Sequence, residues 1–221
     1  MSFDTEFVLR VLPQFLKATL VTFEIAGIAI LASMLVASAN AAILFFRLSG
    51  LAFLVRLYVE LARNTPLLIQ LFFLYFALPS LGIRLSGMTT AILAMTFLGG
   101  GYMTEVFRAG MEAVPKSQLE SGLALGLSRL QLLRAIVLPQ AMRIGTPALF
   151  ATFVFLLKET TVVSAVSVPE IMYTTTNYIA LYYKTYEMLA VMTGIYLVMF
   201  LPLSALLSAL ERRFRHGQFG T

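Results

Sequence analysis

The chain of 221 residues is 59% hydrophobic and 12% charged, with a mean hydropathy of +0.88, where a soluble domain carries about 25% charged residues. That composition excludes a soluble enzyme or binding module and indicates an all-α, polytopic membrane protein with little mass outside the bilayer. The absence of Cys removes disulfides and thiolate metal sites, and the net charge of +5 reads as membrane topology rather than as a nucleic-acid footprint.

Residues 1–18 predict a short amphipathic approach that lacks the basic n-region and small-residue cleavage site of a removable signal peptide. Thr19–Phe46 is the first span (residues 19–46), broken by Glu24 and Asn40. The second span, residues 51–79, joins LVRLYVELARNT to the short apolar stretch after it, with a kink at Pro66. Pro79–Ser86 is an external loop. The third span covers residues 87–107, where Gly99, Gly100 and Gly101 fit either close helix packing or a hinge. The fourth, residues 133–157, contains Pro139 and Pro147, which bend it around a cavity. Residues 158–184 form a more polar external region with a half-buried helix near Val168–Tyr178. The fifth span covers residues 186–210 and ends in ERRFRHG.

With the N-terminus outside, the outer segments hold Arg10, Lys17, Arg84, Lys158 and Lys184, and the other eleven of the 16 Lys and Arg fall inside. The asymmetry favours five spans, N-out and C-in. No internal repeat is visible.

Between the third and fourth spans lies a cytoplasmic amphipathic stretch, VPKSQLESGLALGLSRLQLLRAIVLP. Ser117 with Glu120, and Ser128 with Gln131, read as capping boxes. Gly126 between them fits a left-handed helix stop. The pattern predicts a short docking helix over residues 117–126, a corner, and a second helix entering the membrane. Gly122 and Gly126, beside Ser121 and Ala124, give the helix a bare side that another backbone or groove can approach.

Several chemistries are absent. The single His, His216, sits in the C-terminal tail, Asp4 is the only Asp, and no Gly-Lys dipeptide occurs. Zinc and serine-type proteolysis, an intramembrane aspartyl dyad and a Walker A loop are all excluded, so the chain binds no ATP, metal or cofactor of its own. Any uphill work draws on a partner or an ion.

Glu60 with Arg63, and Glu105 with Arg108, have the i,i+3 spacing of intrahelical ion pairs, and also suit a gate or an interface, with Glu105 a candidate for the substrate path as well. Glu24 and Glu159 are acids near membrane depth and candidate substrate-path residues, with Thr160 beside Glu159. Glu159 contacts the ammonium or cationic group of a substrate, or else pairs with Lys158 or Lys184. Glu120 serves its own capping box, a partner contact, or both.

The residues resemble a known family. Glu120-Ser121-Gly122, three residues, Gly126, nine residues, then Ile136-Val137-Leu138-Pro139 keep the spacing of the EAA-type signature of binding-protein-dependent ABC importer permeases. Ser121 and Gly122 replace its two alanines. VELARNTPLLIQLFFLYFALP, YMTEVFRAG, PQAMR and LLKETTVVS are similar to the polar amino acid permease subfamily (His, Gln, Arg or Glu type). The resemblance implies a type I ABC importer transmembrane domain in the bacterial inner membrane. Its partners are a second permease, two cytoplasmic ATPase subunits that use ATP and Mg, and an external substrate-binding protein that delivers an amino acid. It also implies that Glu120, Ser121, Gly122, Gly126, Ile136, Leu138 and Pro139 couple to the ATPase. An ion-coupled secondary transporter is the alternative, and it needs internal repeats and paired acids within the spans.

Overall fold

The computed structural model describes residues 3–216, with side chains placed as far as Leu210, so the side chains of Arg212, Arg213, Arg215 and His216 lie outside the described residues. Every regular element among the described residues is helical. α1 is Thr5–Phe45, α2 Ser49–Asn64 and α3 Leu67–Phe72, which continues through a π turn (Phe73–Ala77) and a 3-10 turn (Leu78–Leu81). α4 is Gly87–Glu112, α5 Lys116–Ala124 and α6 Arg129–Leu132, which passes through a π turn (Leu133–Val137) into α7, Leu138–Glu159. A 3-10 turn (Thr160–Val166), α8 (Ile171–Tyr182) and α9 (Thr185–His216) complete the chain.

α1, the segment Arg129–Val166 and α9 as far as Leu210 are long and apolar enough to cross a membrane, with a fourth crossing if α2 and the α3 segment count as one broken span. The N-terminal approach is not separate from the first span. α1 is one helix of 41 residues, about 60 Å long at 1.5 Å per residue, roughly twice a bilayer's hydrocarbon thickness.

The sequence predicts one kinked span over residues 51–79, and the structure breaks it into α2 and α3. Pro66 has ψ 141 and stands ahead of α3 as its N-cap. Its ring also disfavours the helical region for Thr65. The loosened backbone is held by Gln70, whose Nε2 donates to Thr65 Oγ1 at 2.9 Å and to the Thr65 carbonyl at 3.1 Å.

The residues group into two compact units. One contains the chain up to Leu31, Thr65–Thr96 and Val154–Leu206. In it Val11, Phe15, Ala18, Thr22, Ile25 and Ala29 recur at three- and four-residue spacing and are all buried. Phe15 and Val11 pack with Met188 and Val191, and Ala18 and Ala26 pack with Leu157, Ile171 and Met199. Asp4 caps α1: its Oδ1 accepts from the Phe7 N–H at 3.0 Å, and Lys184 Nζ donates to Oδ2 at 2.9 Å. These bonds hold the Asp4 carboxyl below its ordinary pKa.

The other unit contains Ala32–Asn64, Phe97–Phe153 and the chain from Leu207. Here the mid-α4 glycines are contact points. A Cβ on Gly100 would collide with Tyr58 Oη, and one on Gly101 would lie 2.7 Å from Ala62 Cβ. The Tyr58 hydroxyl donates to the Phe97 carbonyl at 2.8 Å, and Asn40 Nδ2 donates to Thr104 Oγ1 at 3.1 Å. Close packing is therefore what Gly100 and Gly101 provide. Replacing Gly101 with Leu should cost about 1–3 kcal/mol through overpacking, read as a lower melting temperature of the purified protein in detergent, and Gly27→Leu, with nothing within 4 Å, should shift it far less.

Candidate functional site

α5 begins at Lys116, so its N-cap falls two residues ahead of the Ser117 that the capping pattern predicts. Pro115 (φ −57, ψ 131) is its N-cap, no side-chain cap bond forms, and Gln118 N–H donates to the Pro115 carbonyl at 3.0 Å. Ser117 therefore lies inside the first turn, and the Ser117–Glu120 box is not formed. Glu120 is exposed and has no side-chain partner among the described residues.

The C-terminal end of α5 follows the sequence closely. Gly126 has φ +80, the Leu127 N–H donates to the Gly122 carbonyl at 3.0 Å, and the Gly126 N–H donates to Leu123 at 2.9 Å. This is a Schellman stop. The capping box at Ser128 and Gln131 is complete, with Ser128 N–H to Gln131 Oε1 at 2.8 Å and Gln131 N–H to Ser128 Oγ at 3.3 Å. Two helix ends meet in four residues with their loose backbone groups satisfied.

Gly122 faces inward. A Cβ there would collide with Leu132 and lie 3.1 Å from Ile136 Cδ1. Gly122 thus packs on the following helix of its own chain, while Ser121, Ala124 and Gly126 stay exposed. Ser117, Gln118, Ser121, Leu125, Leu127, Ala135, Ile136 and Gln140 line a groove of about 380 Å³ around this contact. Leu125 is 82% exposed and Leu123 54%, so the corner presents apolar surface beside Glu120. Pro139 has no N–H to donate into the helix, and the turn before it widens: the Leu138 N–H reaches back five residues to Leu133. Leu138 is exposed at the start of α7.

Of the two expected ion pairs, Glu60–Arg63 changes partners and Glu105–Arg108 forms. Arg63 NH1 lies 3.6 Å from Glu105 Oε2 on α4, and its guanidinium sits 5.4 Å above the Tyr102 ring. Glu60 instead accepts from Asn64 Nδ2 at 2.7 Å. Four-residue spacing and a carboxylate on the facing helix outcompete the i,i+3 pair. Arg108 does pair with Glu105, at 2.8 and 3.0 Å, and reaches Glu112 at 2.6 Å. Glu105 is thus committed to two arginines.

Neither expected partner reaches Glu159. Lys184 bonds Asp4, and Lys158 Nζ lies 5.6 Å from the Phe200 ring centre. Glu159 ends α7 half-buried, with no side-chain partner among the described residues. Thr160 is fully buried, and its hydroxyl donates to the Leu157 carbonyl at 2.8 Å. Glu24 is exposed on α1.

Sequence reasoning missed Glu170. It is fully buried and caps α8, with Oε1 accepting from Tyr173 N–H at 2.6 Å and Oε2 from Met172 N–H at 2.8 Å. Burial pushes its pKa up to about 7 despite the two bonds. Pro169-Glu170 before an apolar run was the available signal, weak because Glu is not among the favoured N-cap residues.

A family model described as "Binding-protein-dependent transport system inner membrane component" matches residues 29–216. The chain is 33% identical over 217 residues to the probable amino-acid permease protein YxeN of Bacillus subtilis (strain 168), covering 95% of each. It is 33% identical over 159 residues to the glutamine transport system permease protein GlnP of Escherichia coli (strain K12), covering 71% of this chain and 73% of that one. Among solved structures, an amino acid ABC transporter crystallised with histidines aligns with a TM-score of 0.90 at 28% identity, over 96% of this chain and 100% of that one. The MetNI methionine ABC transporter in an inward-facing conformation shares the fold, with a TM-score of 0.76 at 15% identity over 93% and 98%.

Glu170 binds its proton more tightly folded than unfolded, so its contribution is fully present below the ordinary carboxylate pKa of 4.5 and is lost as pH rises through about 7. Stability should fall across that window by on the order of 3 kcal/mol. Melting curves of wild type and Glu170→Gln between pH 4.5 and 8 check this, the variant showing a flatter profile.

Proposed function

The chain belongs to the family of inner membrane components of binding-protein-dependent transport systems, and on that premise we propose that it is the permease subunit of an ATP-binding cassette importer for a polar or charged amino acid. In this reading it has five spans, N-out and C-in, in the bacterial inner membrane. It pairs with a second permease, and two cytoplasmic ATPase subunits drive the pair with ATP and Mg. An external binding protein supplies the amino acid.

The observation that carries the reading is the α5 corner. It has the shape of a short stiff lever: closed by a Schellman stop, recapped at Ser128 and seated through Gly122 on Leu132 and Ile136. Glu120, Leu123 and Leu125 face outward, where an ATPase groove would receive them. Closure of the ATPase pair would push α5, and α7 would follow. α9 supports the rest of the assembly: only 6% of its apolar window is buried within the chain, so lipid or a second permease must cover it. For substrate, Glu159 is an acid with no side-chain partner among the described residues, suited to an α-ammonium or a cationic side chain.

Reconstitution with the adjacent ATPase and binding protein tests the whole: uptake should require ATP and survive collapse of ion gradients. Gly126→Val, which forces a β-branched residue to φ +80, should reduce substrate-stimulated ATPase activity several-fold, whereas Gly126→Asn, tolerant of that conformation, should retain most of it. Glu159→Gln should raise the KM for uptake about tenfold, the loss expected for a hydrogen bond to a charged group; unchanged uptake kinetics would remove Glu159 from the path.

A further inference from the structure

α5 is joined to α7 at its C-terminal end by the corner at Leu125–Ser128 and by Gly122 packed on Leu132 and Ile136. Its N-terminal half has a separate tie. The Gln140 side-chain amide donates to Gln118 Oε1 at 2.7 Å and to the Ile136 carbonyl at 2.9 Å. Both protons of one amide are therefore used, one on α5 and one on the π turn before Pro139. Gln118 and Gly122 are four residues apart and share a face of α5. Gln118 lies eight residues before Gly126, about 12 Å along a helix axis.

We propose that Gln140 is a positioning residue for energy coupling: with Gln118 it clips the free end of α5 to the base of α7, so that the two helices move as one body. A lever held only beside a glycine corner rotates about that corner under load and loses displacement. A second tie about 12 Å away removes that rotation. The π turn is the anchor on the α7 side, because the same Gln140 amide that reaches Gln118 also donates to the Ile136 carbonyl within it. The inference rests on α5 being the element that the ATPase pushes.

The test is the amount of tritiated amino-acid mixture taken up per ATP hydrolysed, in proteoliposomes holding the full complex and its binding protein. A neutral hydrogen bond shifts a two-state equilibrium by about fivefold, so Gln118→Ala and Gln140→Leu should each lower that ratio severalfold while hydrolysis continues. The double variant should be no worse than Gln140→Leu alone, because both remove one clip. Gln118→Glu keeps the acceptor and should restore the ratio. Gln118 is exposed, so if Gln140→Leu fails to assemble, Gln118→Ala and Gln118→Glu carry the test. Unchanged uptake per ATP in Gln118→Ala, additive losses in the double variant, or no rescue by Gln118→Glu overturns the clip. Absence of ATP-driven uptake by the wild-type complex would instead overturn the importer reading itself.

Discussion

A chain this apolar has few side chains to spare for its own backbone, and a bilayer offers no water to do that work. Wherever a helix stops, some group must take up the amides and carbonyls it releases. In this protein several breaks carry their own supply. Gln70 returns to Thr65 where Pro66 ends α2, and Gln140 takes the Ile136 carbonyl at the π turn before Pro139. Ser128 and Gln131 close the start of α6, and Glu170 accepts the first free amides of α8. The scarce polar residues are concentrated at breaks, and the breaks are where regular spans become something other than struts.

The same economy explains α4. It is long enough to cross a bilayer but less apolar than α1, the α7 segment and α9, and Ala91, Ala94, Met95 and Met103 are fully buried. A helix covered by protein need not be as apolar as one covered by lipid. Small residues matter more there, because Gly100 and Gly101 admit Tyr58 and Ala62 of α2 at distances that any larger residue would forbid. Glu105 on the same helix draws Arg63 across from α2, adding an electrostatic tie to the steric one.

The helical class, the Gly126 stop and the Ser128 box that together form the corner after α5 were legible because each depends on neighbours within a few residues. Three-residue spacing likewise identified Glu105 with Arg108. The failures share a cause. The Ser117 box lost to Pro115, which caps the helix two residues sooner. The Glu60–Arg63 pair lost to a carboxylate 42 positions away. The depth of Glu170, and the direction in which Gly122 faces, depend on which segments pack together. Local periodicity does not encode these facts, although it limits the choices.

Acids are a sharper guide to function than apolar residues in such a chain, because each must find a partner or a purpose. Glu6 pairs with Arg10, Glu60 accepts from Asn64, and Glu105 and Glu112 share Arg108. Glu170 holds two backbone amides, and Glu187 accepts from the Asp4 N–H. Among the described side chains, that leaves Glu24, Glu120 and Glu159 without an internal bond. Glu24 is exposed on the surface of a long helix. Glu120 stands on the outer side of a rigid corner, and Glu159 at the end of the proline-containing α7, half-buried, with both nearby lysines engaged elsewhere. In the proposed function, the acid unpaired at a stiff joint and the acid unpaired at a helix end would each meet a molecule other than this chain. The proposed ATPase and the proposed amino acid are what would meet them.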